Sequence, residues 1–356
     1  MKTLDARMTR ARELGALYMF FSAHLPLFRN PFLRLHPTSL PFVFRLSADV
    51  EKMCPLQKER ARSCVSKKDG VTSLSQLITP PSQSMEKVIL LTGASSGIGY
   101  ATAELLARQG HKVYGAARRV EQMEPLAAVG VKALRLDVTS NESIEAAVAE
   151  IIRTEGRIDV LVNNAGYGSY GAVEDVPIDE ARRQFEVNLF GLARLVQCVL
   201  PHMRRRQSGT IVNVASMGGH FTVCFGAWYH ATKYALEAFS DALRMETHPF
   251  GIRVAIIEPG AIKTPWGDIA ADHLEESARG GAYATQAGAA AAALRRLYHG
   301  ARLSAPSVVA KAIGRAVNDR RPKARYRVGF GAKPLVLLHT LLPTRWFDYF
   351  MTRAFR

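Results

Sequence analysis

The chain has 356 residues, 48% of them hydrophobic, which supports a sizeable folded core and excludes a disordered protein. Lys and Arg (47) exceed Asp and Glu (31), for a formal charge of +16. The excess sits at the ends, with 13 basic and 6 acidic residues from Met1 to Ser84 and 14 and 2 from Arg295 to Arg356. Basic ends on a slightly acidic middle suggest either contact with an acidic membrane surface or simply solvated faces. No RNA-binding motif or helix-turn-helix supports a nucleic-acid partner. Cys54, Cys64, Cys198 and Cys224 form no C-x-x-C pair, and no histidine cluster has metal-ligand spacing. A reducing, cytoplasmic setting and no metal site are therefore expected. The longest apolar runs, Leu14–Phe21 and Leu335–Leu342, fall well short of the ~20 residues that span a bilayer, so the protein is expected to be soluble or peripheral.

Residues 1–84 mix Arg, Pro, Phe and Ser without a sustained period, and Pro26, Pro31, Pro37, Pro41 and Pro55 interrupt any long helix. They read as a poorly ordered extension. Arg7, Arg10 and Arg12 beside Leu14, Leu17 and Phe20 allow a short transit-like helix, but transit peptides are seldom so long. Met85, directly before the first strand, reads as the start of the folded protein.

The apolar run Val88–Leu91 suits a central parallel strand buried on both faces. It breaks into Gly93-x-x-x-Gly97-x-Gly99, a spacing unlike the commoner G-x-G-x-x-G. These glycines supply turn dihedrals and close backbone approach, and a helix starting near Gly97 aims free N–H groups at a phosphate. That helix continues through Ala101–Gln109 to Gly110, a C-cap. Strands are expected at Lys112–Ala116, Val131–Asp137, Ile158–Asn163, Thr210–Ala215 and Arg253–Glu258. Helices are expected at Asn141–Thr154, capped by Ser140, and at Asp179–Met203 and Ala227–Glu246. The alternation predicts an α/β fold: a doubly wound, Rossmann-type parallel sheet with helices on both faces and ligands at the carboxyl ends of the strands.

Pro265–Ser304 is rich in Ala and Gly and too long for an ordinary connection, so a helical lid over a substrate pocket is expected there. Pro306–Asn318 returns to helix, and Arg325–Val328 reads as a last strand. Pro334–Phe350 is leucine- and aromatic-rich between basic residues, and either packs on the body or lies on a membrane. The expected organisation is an extension (1–84), a catalytic domain (85–330, lid about 265–304) and a basic, apolar tail (331–356).

Ser216 follows the fifth strand, and Tyr229-His-Ala-Thr-Lys233 follows it. Tyr229 and Lys233, four apart, share one helix face. An ammonium beside a phenol favours phenolate, and a hydroxyl opposite can hold a carbonyl or alcohol oxygen, giving a proton-transfer site. In chain order the motifs are Thr92-Gly93-x-x-x-Gly97-x-Gly99, Asn163-Asn-Ala-Gly166, Ser216, Tyr229-x-x-x-Lys233 and Pro259-Gly260. Together they closely resemble the short-chain dehydrogenase/reductase family over Met85 to Gly260.

The resemblance implies reversible hydride transfer with a nicotinamide cofactor. Tyr229 would be the general acid/base, Ser216 would orient the substrate oxygen, and Lys233 would lower the tyrosine pKa and hold the nicotinamide ribose. Asn188 would support a water leading protons to the lysine, or would simply shape its helix. Gly93, Ser95, Ser96, Gly97, Ile98 and Gly99 would cradle the phosphates, and Asn164, Ala165 and Gly166 would line the cofactor. Asp137, with Val138 after it, would meet adenine, and Pro259, Gly260 and Thr264 would close on the nicotinamide amide. Thr232 stands where the family often has serine.

The second strand ends in Ala116-Ala-Arg-Arg119 with no acid before Glu121. Arginine favours a ribose 2′-phosphate where a carboxylate would repel it, so NADP(H) is expected, with Arg118 the first contact and Arg119 the second. The lid, the apolar tail and Phe221, Phe225 and Trp228 suggest a hydrophobic alcohol or ketone, and the whole resembles the hydroxysteroid and retinol dehydrogenase branch. Tyr167 and Tyr170 are candidates for the pocket border. The alternatives are a 3-oxoacyl-type reductase and a non-catalytic dinucleotide-binding regulator. The resemblance also implies a homodimer or homotetramer, with the Asp179–Met203 and Ala227–Glu246 helices at an interface.

Overall fold

The computed structural model describes residues 86–300 and 303–354. The N-terminal extension, its transit-like helix, Met85, Cys54 and Cys64 lie outside the described residues. Seven parallel strands form one sheet in the order β3-β2-β1-β4-β5-β6-β7. They are β1 Val88–Thr92, β2 Lys112–Ala117, β3 Lys132–Arg135, β4 Val160–Asn163, β5 Gly209–Val214, β6 Ile252–Pro259 and β7 Arg325–Val328. Ile89 of β1 registers with Val113 on one side and Val160 on the other. Strand order thus reverses between β1 and β4, and this is where an open α/β sheet leaves its crevice.

The apolar run of β1 is buried along its whole length because successive side chains enter different layers. Val88 and Leu90 pack with helices α2 (Asn141–Glu155), α4 (Gly191–Arg205) and α5 (Ala227–Thr247), while Ile89 and Leu91 pack with α1 (Gly97–Arg108) and α8 (Pro306–Asn318). Ser140 caps α2 as expected, its Oγ accepting the Ser143 N–H at 3.1 Å.

The single helix expected over Asp179–Met203 is instead α3 (Ile178–Phe185), a π turn (Glu186–Phe190) and α4. The wide turn carries Asn188 inward. Its Oδ1 accepts the Tyr167 N–H at 3.0 Å, and its Nδ2 donates to the Tyr167 carbonyl at 2.9 Å and to Thr232 Oγ1 at 3.1 Å. Just beyond, Gly191 lies so close to the Val138 carbonyl that a Cβ would come within 2.0 Å. The third strand is shorter than expected, because β3 is an edge strand with one buried residue of four. A 3-10 segment, Val120–Val129, precedes it and closes at Gly130 with φ 87°.

Pro265–Ser304 contains two helices, α6 (Trp266–Ser277) and α7 (Ala284–Tyr298). Ala270, Ala271, Ala287, Ala290 and Ala291 are buried between them, and small side chains let the two helices pack closely. The tail forms α9 (Ala332–Leu341) and α10 (Thr344–Ala354). Phe347 of α10 is 2% exposed, with its ring 5.4 Å from that of Phe221 and 4.8 Å from His339. No helix among the described residues is long and apolar enough to cross a membrane.

Phe347 is the side chain that holds α10 to the body. Phe347→Ala should cost about 3 kcal/mol of unfolding free energy, read by chemical denaturation. Unchanged stability would mean that α10 is not part of the cooperative fold.

Candidate active site

A cleft of about 920 Å³ opens at the carboxyl ends of the strands. Its wall includes Gly93, Ser95, Ser96, Gly97, Ile98, Arg118, Arg119, Asp137, Val138, Asn164, Ala165, Gly166, Ser216, Tyr229, Lys233, Pro259, Gly260 and Thr264. Of the site residues expected from sequence, only Gly99 and Asn188 lie behind the wall. A Cβ on Gly99 would fall 2.0 Å from the Gly93 carbonyl, so this glycine lets α1 begin directly on the turn. Gly93 and Gly97 have φ of 70° and 55°, conformations that favour glycine.

Ser96 precedes α1 in an extended conformation and makes no side-chain cap hydrogen bond. The first N–H groups of α1 therefore stay available at the cleft wall, a suitable seat for an anion. Thr264 reaches over the same turn, its Cγ2 3.1 Å from where a Gly97 Cβ would lie. At the far end of the cleft, Asp137 Oδ1 accepts the Thr139 N–H at 3.0 Å and its Oγ1–H at 2.8 Å. Burial opposes the Asp137 charge, but these bonds and nearby Arg118 hold its pKa below the ordinary value.

The candidate proton-transfer groups converge from two elements. Ser216 follows β5, and its Oγ accepts the Gly218 N–H at 3.0 Å. Tyr229 and Lys233 sit on the first turns of α5, 8% and 7% exposed. Lys233 Nζ donates to the Val214 carbonyl at 3.0 Å and lies 5.9 Å from the centre of the Tyr229 ring. Burial lifts the Tyr229 pKa to about 12 against a hydrogen bond from Ser216 that lowers it. Burial also brings Lys233 down to about 8, opposed by the charge of Glu237. Among the chain's own groups the net effect on the tyrosine is thus a rise, set by burial, rather than the lowering expected from the ammonium. Asn188 is fully engaged by Tyr167 and Thr232, so its structural job is plain, although a Cβ on Gly166 would touch both Asn188 Oδ1 (3.1 Å) and Lys233 Nζ (3.8 Å).

An aromatic wall faces Tyr229, with Trp266 at 5.0 Å and Tyr170 at 5.9 Å between ring centres. Tyr298 stacks on Trp266 at 5.6 Å. Tyr167, Tyr170 and Phe221 line the cleft as expected, but Phe225 and Trp228 do not. Phe225 adopts φ 65° and turns its ring toward Tyr283, and Trp228 is half-buried outside the cleft wall. His230 escaped sequence reasoning. Its Nδ1 lies 2.9 Å from the Gly218 carbonyl, so that nitrogen carries the proton and Nε2, 3.5 Å from the Tyr170 hydroxyl, accepts. Its place next to Tyr229 in the sequence was the available signal.

Also unforeseen is a buried ionic cluster behind the serine loop and α5. Glu258, fully buried in β6, meets Arg327 Nε, Arg325 Nε at 3.0 Å and His220 Nε2 at 3.2 Å. Glu237, one turn beyond Lys233, meets Arg325 at 3.1 Å. Burial opposes the Glu258 charge, but His220 and Arg327 hold its pKa below the ordinary value. Burial and the neighbouring Glu258 raise Glu237 to about 7. His220, Glu237 and Glu258 place ligand-type atoms within 4.8 Å of one another; Arg325 already bridges both carboxylates and Arg327 adds a second cation at Glu258.

Residues 87–273 match the family described as short chain dehydrogenase. The chain belongs to that family. It is 37% identical over 259 residues to "Probable short-chain type dehydrogenase/reductase VdlC" of Helicobacter pylori, spanning 73% of this chain and 94% of that protein. It is 43% identical over 183 residues to the "3-ketodihydrosphingosine reductase" of Bacteroides thetaiotaomicron, spanning 51% of this chain and 66% of the relative. The crystal structure of a short-chain dehydrogenase from Streptomyces avermitilis is similar, with 36% identity, a TM-score of 0.62, and coverage of 72% of this chain and 93% of that one. As a short-chain dehydrogenase, the protein is an oxidoreductase acting on CH–OH groups.

Glu237 gives the enzyme a measurable pH signature. Its folded-state pKa lies above the ordinary 4.5, so its contribution to stability is full below pH 4.5 and declines as pH rises through about 7. In Glu237→Gln this slope should vanish. Between pH 5 and 8 the variant should gain on wild type by on the order of 2–3 kcal/mol in unfolding free energy. Parallel stability curves would show that Glu237 ionises normally.

Proposed function

We propose that this short-chain dehydrogenase interconverts a ketone or aldehyde and its alcohol on a hydrophobic, lipid-like substrate, using NADP(H). One observation carries the proposal: a single cleft joins the glycine turn and Arg118 to the apolar side chains of Trp266, Leu294, Leu297 and Tyr298, with Tyr229 in its wall. The chain's residues fit a dinucleotide, since the turn around Gly93 and Gly99 has no room for a Cβ and Arg118 and Arg119 face the cleft where a 2′-phosphate would lie. NADP(H), when bound, supplies or accepts the hydride.

In the reducing direction Tyr229 donates its proton to the substrate oxygen, which Ser216 orients by hydrogen bonding. Lys233 would hold the nicotinamide ribose, and its ammonium offsets the charge left on the phenolate. Burial keeps Tyr229 neutral at rest, so charge appears there only as the proton moves, while Lys233, brought down only to about 8, stays largely protonated at neutral pH. Helices α6 and α7 act as the lid: their inner side chains Trp266, Ile269, Leu294 and Tyr298 line the substrate side and exclude water. The relative named as a 3-ketodihydrosphingosine reductase supports a carbonyl on a long-chain lipid; steroids and retinoids fit the same wall chemistry. The enzyme works as a homodimer or homotetramer in the cytoplasm, with exposed Phe190 beside α4 and Tyr234 on α5 at the interface.

Two measurements test this function. Tyr229→Phe should lower kcat/KM for NADPH-linked ketone reduction by roughly 10³-fold while NADPH still quenches protein fluorescence; full activity would remove Tyr229 from the chemistry. Arg118→Ala should raise the NADPH KM by about tenfold and leave NADH use unchanged, whereas a wild-type preference for NADH would refute the cofactor assignment. A panel in which small polar ketones outperform lipid-like ones would overturn the substrate class.

A further inference from the structure

Helices α9 and α10 carry apolar residues on their outer as well as their inner sides. Their inward residues, Val336, Phe347 and Met351, pack against Phe221 and its neighbours. Their outward residues are just as hydrophobic: Leu337, Leu341, Trp346, Tyr349 and Phe350 are 59%, 70%, 58%, 56% and 47% exposed. Leu337 and Leu341 lie one helical turn apart, as do Trp346 and Phe350, so each helix presents an apolar stripe rather than scattered residues. The aromatic rings touch, with Tyr349 5.7 Å and Trp346 6.4 Å from Phe350. A contiguous apolar stripe facing solvent calls for a cover.

The polar residues around the stripe indicate what that cover is. Lys333, Arg345 and Arg353 are exposed on these helices against the one acid, Asp348. A second copy docked through the same patch would set this basic surface against itself, because a two-fold interface is self-complementary. An anionic lipid surface matches the patch instead: leucines and a phenylalanine enter the acyl boundary, Trp and Tyr sit at headgroup level, and arginines reach phosphate. The same two helices also border the active-site cleft, whose wall includes Leu335, Met351 and Ala354.

We propose that the outer face of α9 and α10 docks the enzyme on an anionic phospholipid surface and sets the cleft mouth at the bilayer, so that lipid substrates enter without crossing water. The last clause rests on the lipid-like substrate proposed above; the docking itself does not.

The full chain is mixed with vesicles of phosphatidylcholine alone or of phosphatidylcholine with phosphatidylserine, and binding is read by flotation. Binding should be strong only with phosphatidylserine and should weaken as salt is raised. Leu341→Glu combined with Trp346→Glu should reduce vesicle binding by about tenfold or more and leave the melting temperature and the turnover of a short, water-soluble ketone unchanged. Three results overturn the docking: no flotation of wild type with either vesicle, undiminished flotation of the variant, or loss of a wild-type dimer in the variant with vesicle binding intact, which would assign the face to a second copy. Flotation with no turnover of any lipid carbonyl would instead overturn the substrate class and leave docking standing.

Discussion

The architecture of the cleft depends on one hydroxyl. Thr92 Oγ1, at the end of β1, accepts the N–H groups of both Asn164 and Ala165, each at 3.0 Å, while Asn164 Nδ2 returns hydrogen bonds to the carbonyls of Thr92 and Gly93 at 3.0 and 3.3 Å. These bonds tie the two strands between which the sheet reverses order. The glycine turn and the Asn164–Gly166 segment therefore cannot separate, and the crevice has a fixed floor. Without a Cβ at Gly93 or Gly99 the backbones approach closely enough for Thr92 and Asn164 to reach. A second buried chain, Asn163 to Asn213 to Ser240 at 2.9 Å for each step, repeats the device one layer deeper and joins β4, β5 and α5. Polar side chains so deep in a sheet are tolerated because hydrogen bonds replace water.

From that floor the chemistry is set by what burial does to charge. Tyr229 and Lys233 are both inside the wall, and desolvation pushes each toward its neutral form. The groups that oppose this are placed asymmetrically. Ser216 lowers the phenol directly, whereas the lysine is supported from behind by Glu237, one turn further along α5. Glu237 is itself held in the ionic cluster with His220, Glu258 and Arg325. Its members come from the loop after Ser216, the Tyr–Lys helix, the strand that leads to Pro259–Gly260, and β7. Every segment that brings a reactive group to the cleft is thus fastened to the same cluster.

Much of this was legible in the sequence, for definable physical reasons. Short, partly β-branched apolar runs such as Val88–Leu91 and Val160–Val162, bounded by turn residues, suit a doubly covered sheet, and the turn glycines mark the strand ends. The cleft residues follow because each lies within a few positions of such an end. What was not legible is non-local. Nothing in Glu186–Phe190 announces a π turn, and the Asn188 bonds to Tyr167 and Thr232 that accompany it are contacts far along the chain. His220, Glu237, Glu258 and Arg325 are far apart along the chain and meet only once β6, β7 and α5 are stacked. Phe225 and Trp228 misled because aromatic residues between a serine and a tyrosine read as pocket lining, whereas the backbone at Phe225 turns its ring toward α7.

The two ends of the cleft differ in kind. The dinucleotide end is built from backbone, glycine and hydrogen-bonded strand ends, with little freedom to change shape. The substrate end is built from side chains on α6, α7, α9 and α10, where alanine contacts and the buried Val336 and Phe347 hold helices against the body. Dispersion contacts between helices leave more ways to repack than a ladder of strand hydrogen bonds. A hydride donor must be presented at fixed geometry, whereas the proposed lipid-like substrate would need a wall that yields to bulk. Tyr229 belongs to the rigid part through α5 and to the adaptable part through Trp266 and Tyr170. Under the proposed function, changes in substrate shape would therefore be absorbed by α6, α7 and the tail without disturbing Tyr229.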